Sequence, residues 1–250
     1  MARGSVRTKI FVISMRNAGE RRRIFAESEI PDSIDWAFFD ALEVLHPDLH
    51  YNEDQAIIAK GRPLTTGERG CYSSHYALWK QLADDDVDQY VILEDDILAD
   101  WSFIRPLIVE DHAETGRDYI RLYYKKPAPA RILEKDFICR TTRLIEISGY
   151  CFGTQAYLLT KNGANRFLAQ TRDVVRPIDD QMDRSWIHGI ANLSVFPFPV
   201  LERSVPSEIG MSRFDAYKIP ERLRLKRFIS RNRERASYQL RGRHPFRFQL

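Results

Sequence analysis

The sequence predicts an α/β fold in which a mostly parallel central sheet is covered by helices. The first observation is that short, β-branched apolar runs alternate with charged helical segments, which is typical of strand–helix–strand units. The second is the composition: 44% of the 250 residues are hydrophobic, and 14 Phe, 11 Tyr and 4 Trp can fill a sizeable core. This composition excludes a wholly disordered chain.

The N-terminal region shows the clearest strand–helix–strand pattern. Residues 9–14 form an apolar, β-branched run and are predicted to be a buried strand. A charged helix is predicted at about residues 20–29, and it ends before Pro31. Residues 34–39 are the predicted second strand, whereas residues 42–63 show no clear periodicity.

A long helix and a third strand are predicted next. Thr65 and Glu68 have the spacing of a capping box, so a helix should begin there. Its apolar stripe runs at spacings of three and four residues. Residues 90–93 form the third predicted strand, which ends in three acidic residues: Glu94, Asp95 and Asp96.

The later half of the chain is predicted to add strands and helices to this framework. A fourth strand is predicted at residues 119–124, and a hairpin lies within residues 137–147. Residues 157–160 are predicted to be a strand that leads into a helix ending near Gln170. A further helix is predicted to start near Asp179.

The segment of residues 195–200 is predicted to be extended but not a central strand. It contains Pro197 and Pro199. Proline has no N–H to donate to a neighbouring strand, and this confines it to sheet edges and strand ends.

Charge divides the chain into an acidic body and a basic tail. Residues 216–250 contain eleven Lys and Arg against two acidic residues, whereas residues 1–215 contain 27 basic and 33 acidic residues. We therefore expect one α/β domain over residues 1–215 and a basic, amphipathic helical tail over residues 216–250. The tail suits an anionic membrane face, and a helix packed back on the body is the alternative. Nucleic-acid binding is disfavoured, because the body is acidic and no recognition motif is present.

The sequence contains no membrane span and no disulfide framework that we can identify. No stretch approaches the roughly 20 apolar residues of a bilayer-crossing helix, and the apolar run at residues 10–15 is too short for a secretory signal. The three cysteines, Cys71, Cys139 and Cys151, have no metal-like spacing. We expect a cytoplasmic location.

The acidic run after the third strand is the strongest local signal of a site. Three adjacent carboxylates repel one another unless a cation compensates them, and open α/β sheets bind ligands at the carboxyl ends of their strands. Glu94 and Asp96 share a face if the strand continues, and such a pair can bind Mg²⁺ or Mn²⁺ together with substrate phosphates. A solvated acidic turn, in which Asp95 or Asp96 caps the next helix, is the alternative.

Two polar residues, Ser74 and His75, lie on the apolar stripe of the helix that begins at Thr65. Buried polar side chains need hydrogen-bond partners. The pattern by itself favours a hydrogen-bonded core histidine over a functional one.

Four sequence blocks occur in the order found in a known family. They are residues 11–15 with Arg21, residues 39–41, residues 67–79 followed by 93–96, and residues 153–164 followed by 177–180. Together they resemble glycosyltransferase family 25, which includes lipooligosaccharide and collagen galactosyltransferases. The resemblance covers about residues 9–209. Ser14 stands where the family often has Asn, and Arg69 where an aliphatic residue is usual.

The resemblance implies a GT-A-type, Rossmann-like fold and a UDP-sugar donor. It implies transfer of a hexose, galactose or alternatively glucose, to a lipopolysaccharide or lipooligosaccharide acceptor, with inversion at the anomeric carbon. It implies a divalent metal, Mn²⁺ or Mg²⁺, held by Glu94 and Asp96. The residues implied around the donor are Ile13, Ser14, Arg21, Asp40, Ser74, His75, Glu94 and Asp95. Structural interpretations stay open for Ile13 as core, Arg21 as a solvated helix residue and Asp40 as a loop cap.

An inverting transfer needs a base that removes the proton of the acceptor hydroxyl. Asp179 and Asp180 are the candidates, since they follow the last family block and open a predicted helix. One of the two is expected only to cap that helix, and we prefer Asp179 as the base. His188 and Ser207 are further candidates for contacts to the metal or the diphosphate.

The expected partners are a UDP-hexose, a glycolipid or oligosaccharide acceptor, and the anionic surface of the inner membrane, contacted through the tail. No nucleic acid is expected. A family member that has lost catalysis and serves as a glycan-binding scaffold is the alternative, although the intact acidic run argues against it.

Overall fold

The computed structural model describes residues 6–203 and 217–242. The first elements are β1 (Thr8–Ser14), α1 (Gly19–Ala26), β2 (Trp36–Asp40), β3 (His50–Tyr51), α2 (Glu53–Lys60), α3 (Thr66–Asp84), β4 (Gln89–Glu94), β5 (Ile97–Ala99) and α4 (Trp101–Leu107). The next are β6 (Tyr119–Arg121), β7 (Ala130–Lys135), β8 (Arg143–Ile147), β9 (Ala156–Thr160), α5 (Lys161–Leu168), β10 (Asp173–Val174), α6 (Ile178–Met182), α7 (Ser185–His188), β11 (Leu193–Phe196) and β12 (Val200–Glu202). A last helix, α8 (Glu221–Ser237), continues into a π-helical turn, Tyr238–Gly242.

Eight strands form the central sheet, in the order β2-β1-β4-β9-β6-β11-β8-β7. β1 is parallel to both β2 and β4, and β6 is parallel to β11. β9 is antiparallel to both of its neighbours, and β8 is antiparallel to β11 and β7. The sheet is thus parallel at the end that carries β1 and β4 and mixed beyond it. The predicted α/β class is confirmed.

Each face of the sheet has its own apolar core. On one face α3 and α5 pack on the sheet, and Trp79 stacks on Phe167 with ring centroids 4.7 Å apart. On the other face, strand residues such as Val12 and Leu93 pack against Ile104 of α4. Because both faces are covered there, the central strands β4 and β9 are buried along nearly their whole length and consist mainly of apolar residues.

α3 begins as its capping box predicts. The Thr65 hydroxyl accepts a hydrogen bond from the Glu68 backbone N–H at 3.1 Å, and the Glu68 carboxylate accepts one from the Thr65 N–H at 2.9 Å. Both hydrogen bonds of the box are therefore present. The cap fixes the start of the helix that carries Ser74 and His75.

Two parts of the sequence differ from their predictions. The segment of residues 42–63 contains β3 and α2, which is capped by Asn52 and ends at a left-handed Gly61. A helix of eight residues is too short to give a clear period. Leu193–Phe196 forms an interior strand, so the expectation was wrong for residues 195 and 196, whereas Pro197 and Pro199 lie between β11 and β12. Pro197 follows the strand, and its missing N–H therefore lies outside the ladder.

Within the basic tail, Glu221–Ser237 forms helix α8, which packs on the body. Leu223 is buried, and Arg222 pairs with Asp54 of α2 at 2.8 Å. Arg227 donates to the carbonyls of the last turn of α2, at 3.2–3.3 Å. The inner face of the tail therefore matches the alternative in which it packs on the body. No helix within residues 6–203 and 217–242 combines the length and the apolarity of a bilayer span.

Candidate active site

A cavity of about 260 Å³ opens at the carboxyl ends of β1 and β4. The register of the sheet brings these ends together, because Ile13 of β1 lies between Phe39 of β2 and Glu94 of β4. The loop after β2 and one face of α3 form the opposite wall. Eight of the predicted site residues line the cavity: Ile13, Ser14, Arg21, Ser74, His75, Glu94, Asp95 and Asp96.

Asp95 is a carboxylate with strong partners. Its buried side chain accepts a hydrogen bond from the Ser14 hydroxyl at 2.5 Å and pairs with Arg21. The same guanidinium of Arg21 lies 3.4 Å from Asp96. Ser14 in turn accepts a hydrogen bond from Arg22 at 3.1 Å. Asp95 therefore ties α1 to the ends of β1 and β4 and holds the Arg21 guanidinium at the cavity wall.

Asp96, whose side chain is 13% exposed, lies beside a second carboxylate. Burial and the negative charge of Glu94 raise the pKa of Asp96 to about 7, although Arg21 opposes this shift. Its Oδ1 atom is buried and has no hydrogen-bond partner within residues 6–203 and 217–242. A buried polar oxygen without a partner is costly, and a cation relieves that cost. Glu94 and Asp96 therefore fit Mg²⁺ or Mn²⁺, which prefer oxygen ligands.

His75 connects the cavity to the core. It is fully buried on α3, and its Nδ1 atom lies 2.8 Å from the Tyr157 hydroxyl. Trp79 donates to the same hydroxyl at 2.9 Å. The Nε2 atom of His75 faces Glu94 at 3.9 Å and has no hydrogen-bond partner in the described part of the chain. The imidazole is therefore fixed through Nδ1 and presents Nε2 to the cavity.

Glu94 is ionised more readily than a free glutamate. Burial raises its pKa, but His75 and a 2.5 Å hydrogen bond from the Thr154 hydroxyl outweigh burial, and the net pKa is lowered. Thr154 belongs to a family block, yet sequence analysis gave it no role. Its position next to Glu94 depends on the antiparallel pairing of β9 with β4.

Cys71 belongs to a second group of possible metal ligands around Glu94. One ligand atom each from Cys71, His75 and Glu94 lie within 4.8 Å of one another. Such a mixed set suits a softer cation such as Zn²⁺ better than Mg²⁺. Burial, with the negative charges of Glu94 and Asp179, raises the pKa of the Cys71 thiol well above its usual value. The thiol is therefore neutral without a bound cation, and the oxygen pair of Glu94 and Asp96 is the better site for Mg²⁺ or Mn²⁺.

Ser74 supports the wall of the cavity. Its hydroxyl donates to the Gly70 carbonyl at 2.9 Å and accepts from the Leu42 N–H at 2.8 Å. A Cβ atom on Gly70 would clash with the Leu42 carbonyl oxygen. These contacts hold the loop of residues 41–43 against α3. A direct contact of Ser74 with the donor stays a prediction.

The two base candidates have different surroundings at the start of α6. Asp180 is buried and pairs with Lys60 at 2.8 Å and with Arg184 at 3.1 Å. Asp179 is half-buried and accepts hydrogen bonds from the backbone N–H groups of Gly153, at 3.3 Å, and Asp180, at 2.8 Å. Neither residue lines the 260 Å³ cavity. Asp179 makes no pair with a cation within the described residues, so it is the more available carboxylate.

Three other predicted residues lie apart from the cavity lining. Asp40 is exposed and pairs with Arg22 at 2.6 Å. His188 is buried, and both of its ring nitrogens form hydrogen bonds with backbone groups. Burial lowers the pKa of His188 to about 4, which is typical of a neutral core histidine. Ser207 lies outside the described residues.

A buried ion pair that sequence analysis did not single out orders the loop beside the site. Arg121 and Asp183 are almost completely buried and lie 2.7 Å apart. Asp183 accepts the backbone N–H groups of Cys151 and Phe152 at 3.0 and 2.8 Å, and Arg121 donates to the Gly153 carbonyl at 2.5 Å. The sequence signal for this pair is Arg121 itself, a single arginine at the end of an apolar strand. A buried arginine needs a buried partner of opposite charge.

Comparison with known proteins identifies the family that this chain matches. The model of glycosyltransferase family 25, described as an LPS biosynthesis protein, matches residues 7–182. Procollagen galactosyltransferase 1-A of Xenopus laevis is 26% identical over 182 residues, which are 69% of this chain and 30% of that protein. Procollagen galactosyltransferase 2 of Homo sapiens is 24% identical over 184 residues, 69% of this chain and 29% of that protein.

Relatives whose names contain the word inactive also match. A probable inactive glycosyltransferase 25 family member 3 of Bos taurus is 29% identical over 189 residues, which are 69% of this chain and 30% of that protein. The chain thus spans about 30% of the length of these curated relatives. Among solved structures, A197 from STIV aligns over 78% of this chain and 83% of its own with 12% identity and a TM-score of 0.41, a similarity too slight to carry an argument.

Proposed function

The chain belongs to glycosyltransferase family 25, and we propose that it transfers a hexose from a UDP-sugar to a lipopolysaccharide or lipooligosaccharide acceptor. Galactose is the proposed sugar, because relatives of this chain are named galactosyltransferases, and glucose is the alternative. The observation that carries the proposal is the cavity at the ends of β1 and β4, where three carboxylates and Arg21 converge.

Different residues of this cavity would bind different parts of a nucleotide sugar. Arg21 is fixed by Asp95 and offers its charge to a diphosphate. Ile13 and the loop held by Ser74 provide an apolar wall for the uracil ring of the nucleotide. Glu94 and Asp96 would hold Mg²⁺ or Mn²⁺. When bound, such an ion supplies positive charge that stabilises the leaving diphosphate.

Inversion requires attack by the acceptor hydroxyl on the face opposite the leaving group. Asp179 is the proposed base, since its carboxylate is held by two backbone N–H groups and pairs with no cation within the described residues. Asp180 instead has a positioning role, because its carboxylate bridges Lys60 and Arg184. The proton of the acceptor hydroxyl would pass to Asp179 as the new glycosidic bond forms.

A screen of UDP-sugars tests the function. Purified protein is incubated with UDP-galactose, UDP-glucose and other UDP-hexoses, with Mn²⁺ and a delipidated oligosaccharide, and release of UDP is measured. We expect turnover of UDP-galactose, its loss in excess chelator and its loss in Asp96→Asn. Full activity of Asp96→Asn, or of wild type in chelator, would remove the proposed metal role.

The tail supports a proposal about location. We place the enzyme in the cytoplasm, peripherally bound to the inner membrane, where a lipid-linked acceptor is concentrated. Leu225 and Phe228 are 68% and 65% exposed on the outer side of α8, among basic side chains. Apolar and basic groups on one helix are the two features that bind an anionic interface. The acidic body would face away from that surface, and no nucleic acid is part of the proposal.

A second candidate function is favoured by the inactive relatives. A silent family member would bind a glycan or a UDP-sugar without turnover. Calorimetry with UDP-galactose, run beside the activity screen, separates the two. Tight binding without release of UDP or transfer would identify a scaffold.

A further inference from the structure

A second cavity, of about 370 Å³, lies between α8 and the body. Its walls come from the end of α2, the loop before β9, the start of α6 and the inner side of α8. The 260 Å³ cavity at the ends of β1 and β4, in which we place the donor and which we call the donor cavity, is linked to the loop before β9 by the hydrogen bond from Thr154 to Glu94. This loop therefore lines the second cavity and contacts a residue of the donor cavity.

The second cavity is lined by more cations than anions. Five basic side chains line it: Lys60, Arg184, Arg227, Arg231 and Arg235. Two acidic side chains, Asp180 and Glu234, accompany them, and both are already paired with basic groups. The lining therefore carries an excess of positive charge.

Arg231 and Arg235 contribute most of the uncompensated charge. Within residues 6–203 and 217–242 neither has a carboxylate at ion-pair distance, and both are exposed. Burial, and then repulsion from Arg231, lower the pKa of the neighbouring Arg227. Guanidinium groups bind phosphate and carboxylate oxygens with paired, charge-assisted hydrogen bonds. An anionic ligand would therefore relieve the repulsion and use the free donors.

Aromatic rings form the apolar part of the same cavity. Tyr150 and Phe152 stack with centroids 5.9 Å apart and ring planes 17° from parallel. Tyr238, from the end of α8, lies 6.2 Å from Tyr150. Phe152 has a φ of 56°, in the left-handed region, and the buried Arg121–Asp183 pair holds the loop in place. The Nζ atoms of Lys60 and Lys126 lie 5.6 and 5.2 Å from the Phe152 centroid, and the Arg184 guanidinium lies 5.3 Å from that of Tyr150. The rings and these cations therefore form a mixed apolar and charged wall, against which the C–H face of a sugar ring can pack.

The loop before β9 brings the second cavity next to the proposed chemistry. Thr154 contacts Glu94 on the donor side. The N–H of Gly153 contacts Asp179, and Phe152 faces the second cavity. Asp180 lines that cavity and directly follows Asp179 in the chain. A ligand in the second cavity would therefore lie beside the proposed base and close to the donor.

From these contacts we infer that the second cavity binds the acceptor, and that the acceptor is a saccharide that carries a phosphate or a carboxylate. The inference rests on the proposed function for its chemistry. The wall that contains Tyr150 and Phe152 contacts the sugar ring, and the arginines of α8 bind the anionic group. The tail then completes the acceptor site.

The test removes the uncompensated charges and compares matched ligands. The variant is Arg231→Gln/Arg235→Gln. The control is Arg224→Gln/Arg233→Gln, which removes two charges from the same helix outside the cavity lining. The probes are a phosphorylated oligosaccharide with its dephosphorylated form, and a uronate-bearing oligosaccharide with its carboxyl-reduced form. Calorimetry measures binding, and hydrolysis of UDP-galactose without acceptor measures basal activity.

We expect wild type and control to bind the charged member of at least one pair about tenfold more tightly than the uncharged member. The variant should lose that preference and keep its basal hydrolysis. A preference that survives in the variant, or that is absent in wild type, overturns the inference. Vesicles rich in anionic lipid are a further probe. If the variant loses binding to these vesicles but keeps the saccharide preference, the inference is also overturned, because the arginines would then bind the membrane. If wild type neither binds nor hydrolyses UDP-galactose, the proposed function fails, while calorimetry still decides the saccharide site.

Discussion

At the scale of single residues, Asp95 and Asp96 show how neighbours in sequence acquire different roles. Asp95 receives a hydroxyl and a guanidinium, so its charge is compensated within the fold. Asp96 faces Glu94 and keeps a buried oxygen without a hydrogen-bond partner in the described part of the chain. The charge of Asp95 therefore stabilises the fold. The charge of Asp96 lowers the free energy of unfolding and suits the binding of a cation.

The cost of Asp96 leads to a prediction about pH. Its pKa is near 3.9 in an unfolded chain and is raised to about 7 in the metal-free fold. Between about pH 4 and pH 7 the folded state therefore binds the proton that the unfolded state has lost, and the free energy of unfolding falls as the pH rises. Asn cannot ionise. We expect Asp96→Asn to be more stable than wild type by roughly 2–4 kcal/mol at pH 8.

Urea unfolding in excess chelator, at pH 4 and pH 8, measures this difference. The two proteins should be nearly equal in stability at pH 4. Asp95→Asn is the matched control, and it should destabilise the fold because it weakens the contacts with Arg21 and Ser14. Equal stability of wild type and Asp96→Asn at pH 8 would show that Asp96 is not a costly carboxylate.

The two carboxylates at the start of α6 give a second prediction. Asp179→Asn keeps size and shape but cannot accept a proton, so turnover should fall by about 100-fold or more while UDP affinity stays near normal. Asp180→Asn should instead weaken the fold, because it leaves Lys60 and Arg184 without their shared carboxylate. Steady-state kinetics, UDP calorimetry and thermal unfolding separate the two effects. The reverse pattern would exchange the assigned roles.

At the scale of elements, α3 forms one wall of the donor cavity. Gly70, Cys71, Ser74 and His75 lie on the same side of this helix and face either the cavity or the loop after β2. The helix approaches the loop closely, because Gly70 has no Cβ. The position of α3 therefore sets the width of the cavity.

Gly70→Ala tests the close approach. The added Cβ would clash with the Leu42 carbonyl, so we expect a loss of about 1–3 kcal/mol in the free energy of unfolding and weaker UDP binding. Gly19→Ala, at the start of α1, is the control, because a Cβ there would have no heavy atom within 4 Å. Unfolding and calorimetry measure both variants. The prediction fails if the two substitutions have the same effect.

At the scale of the whole molecule, α8 has two faces with different partners. Its inner side packs on α2 through Leu223 and Arg227, so deletion of the tail would uncover the body as well as remove any membrane contact. Its outer side presents Leu225 and Phe228 to solvent. Substitutions on the outer side are therefore the sharper test of membrane binding.

Leu225→Ser/Phe228→Ser removes the exposed apolar groups of α8. We expect partitioning onto vesicles rich in anionic lipid to fall about tenfold or more, while the free energy of unfolding changes by only about 0.5 kcal/mol. Leu98→Ser/Leu201→Ser is the matched control on the acidic body, where both leucines are about half exposed. Vesicle sedimentation measures both variants. Equal losses in both, or equal binding to neutral vesicles, would contradict the membrane orientation.

The sequence by itself determined the elements that short stretches of chain control. The β1–α1–β2 pattern, the start of α3 at Thr65 and the acidic end of β4 follow from periodicity and capping, which involve residues near one another in the chain. The acidic run also predicted a site at this strand end, because adjacent like charges need compensation. Eight of the predicted site residues, five of which came from the family resemblance and three from the acidic run, line one cavity.

Only the tertiary structure decided which polar groups are already partnered. Ser14 and Asp95 are 81 residues apart, and Arg121 and Asp183 are 62 apart, so no local pattern reports these pairs. The insertion of β9 between β4 and β6 brings Thr154 to Glu94, and the docking of α8 creates the second cavity. Such contacts depend on the order of strands and on helix packing, which a hydrophobic period does not encode.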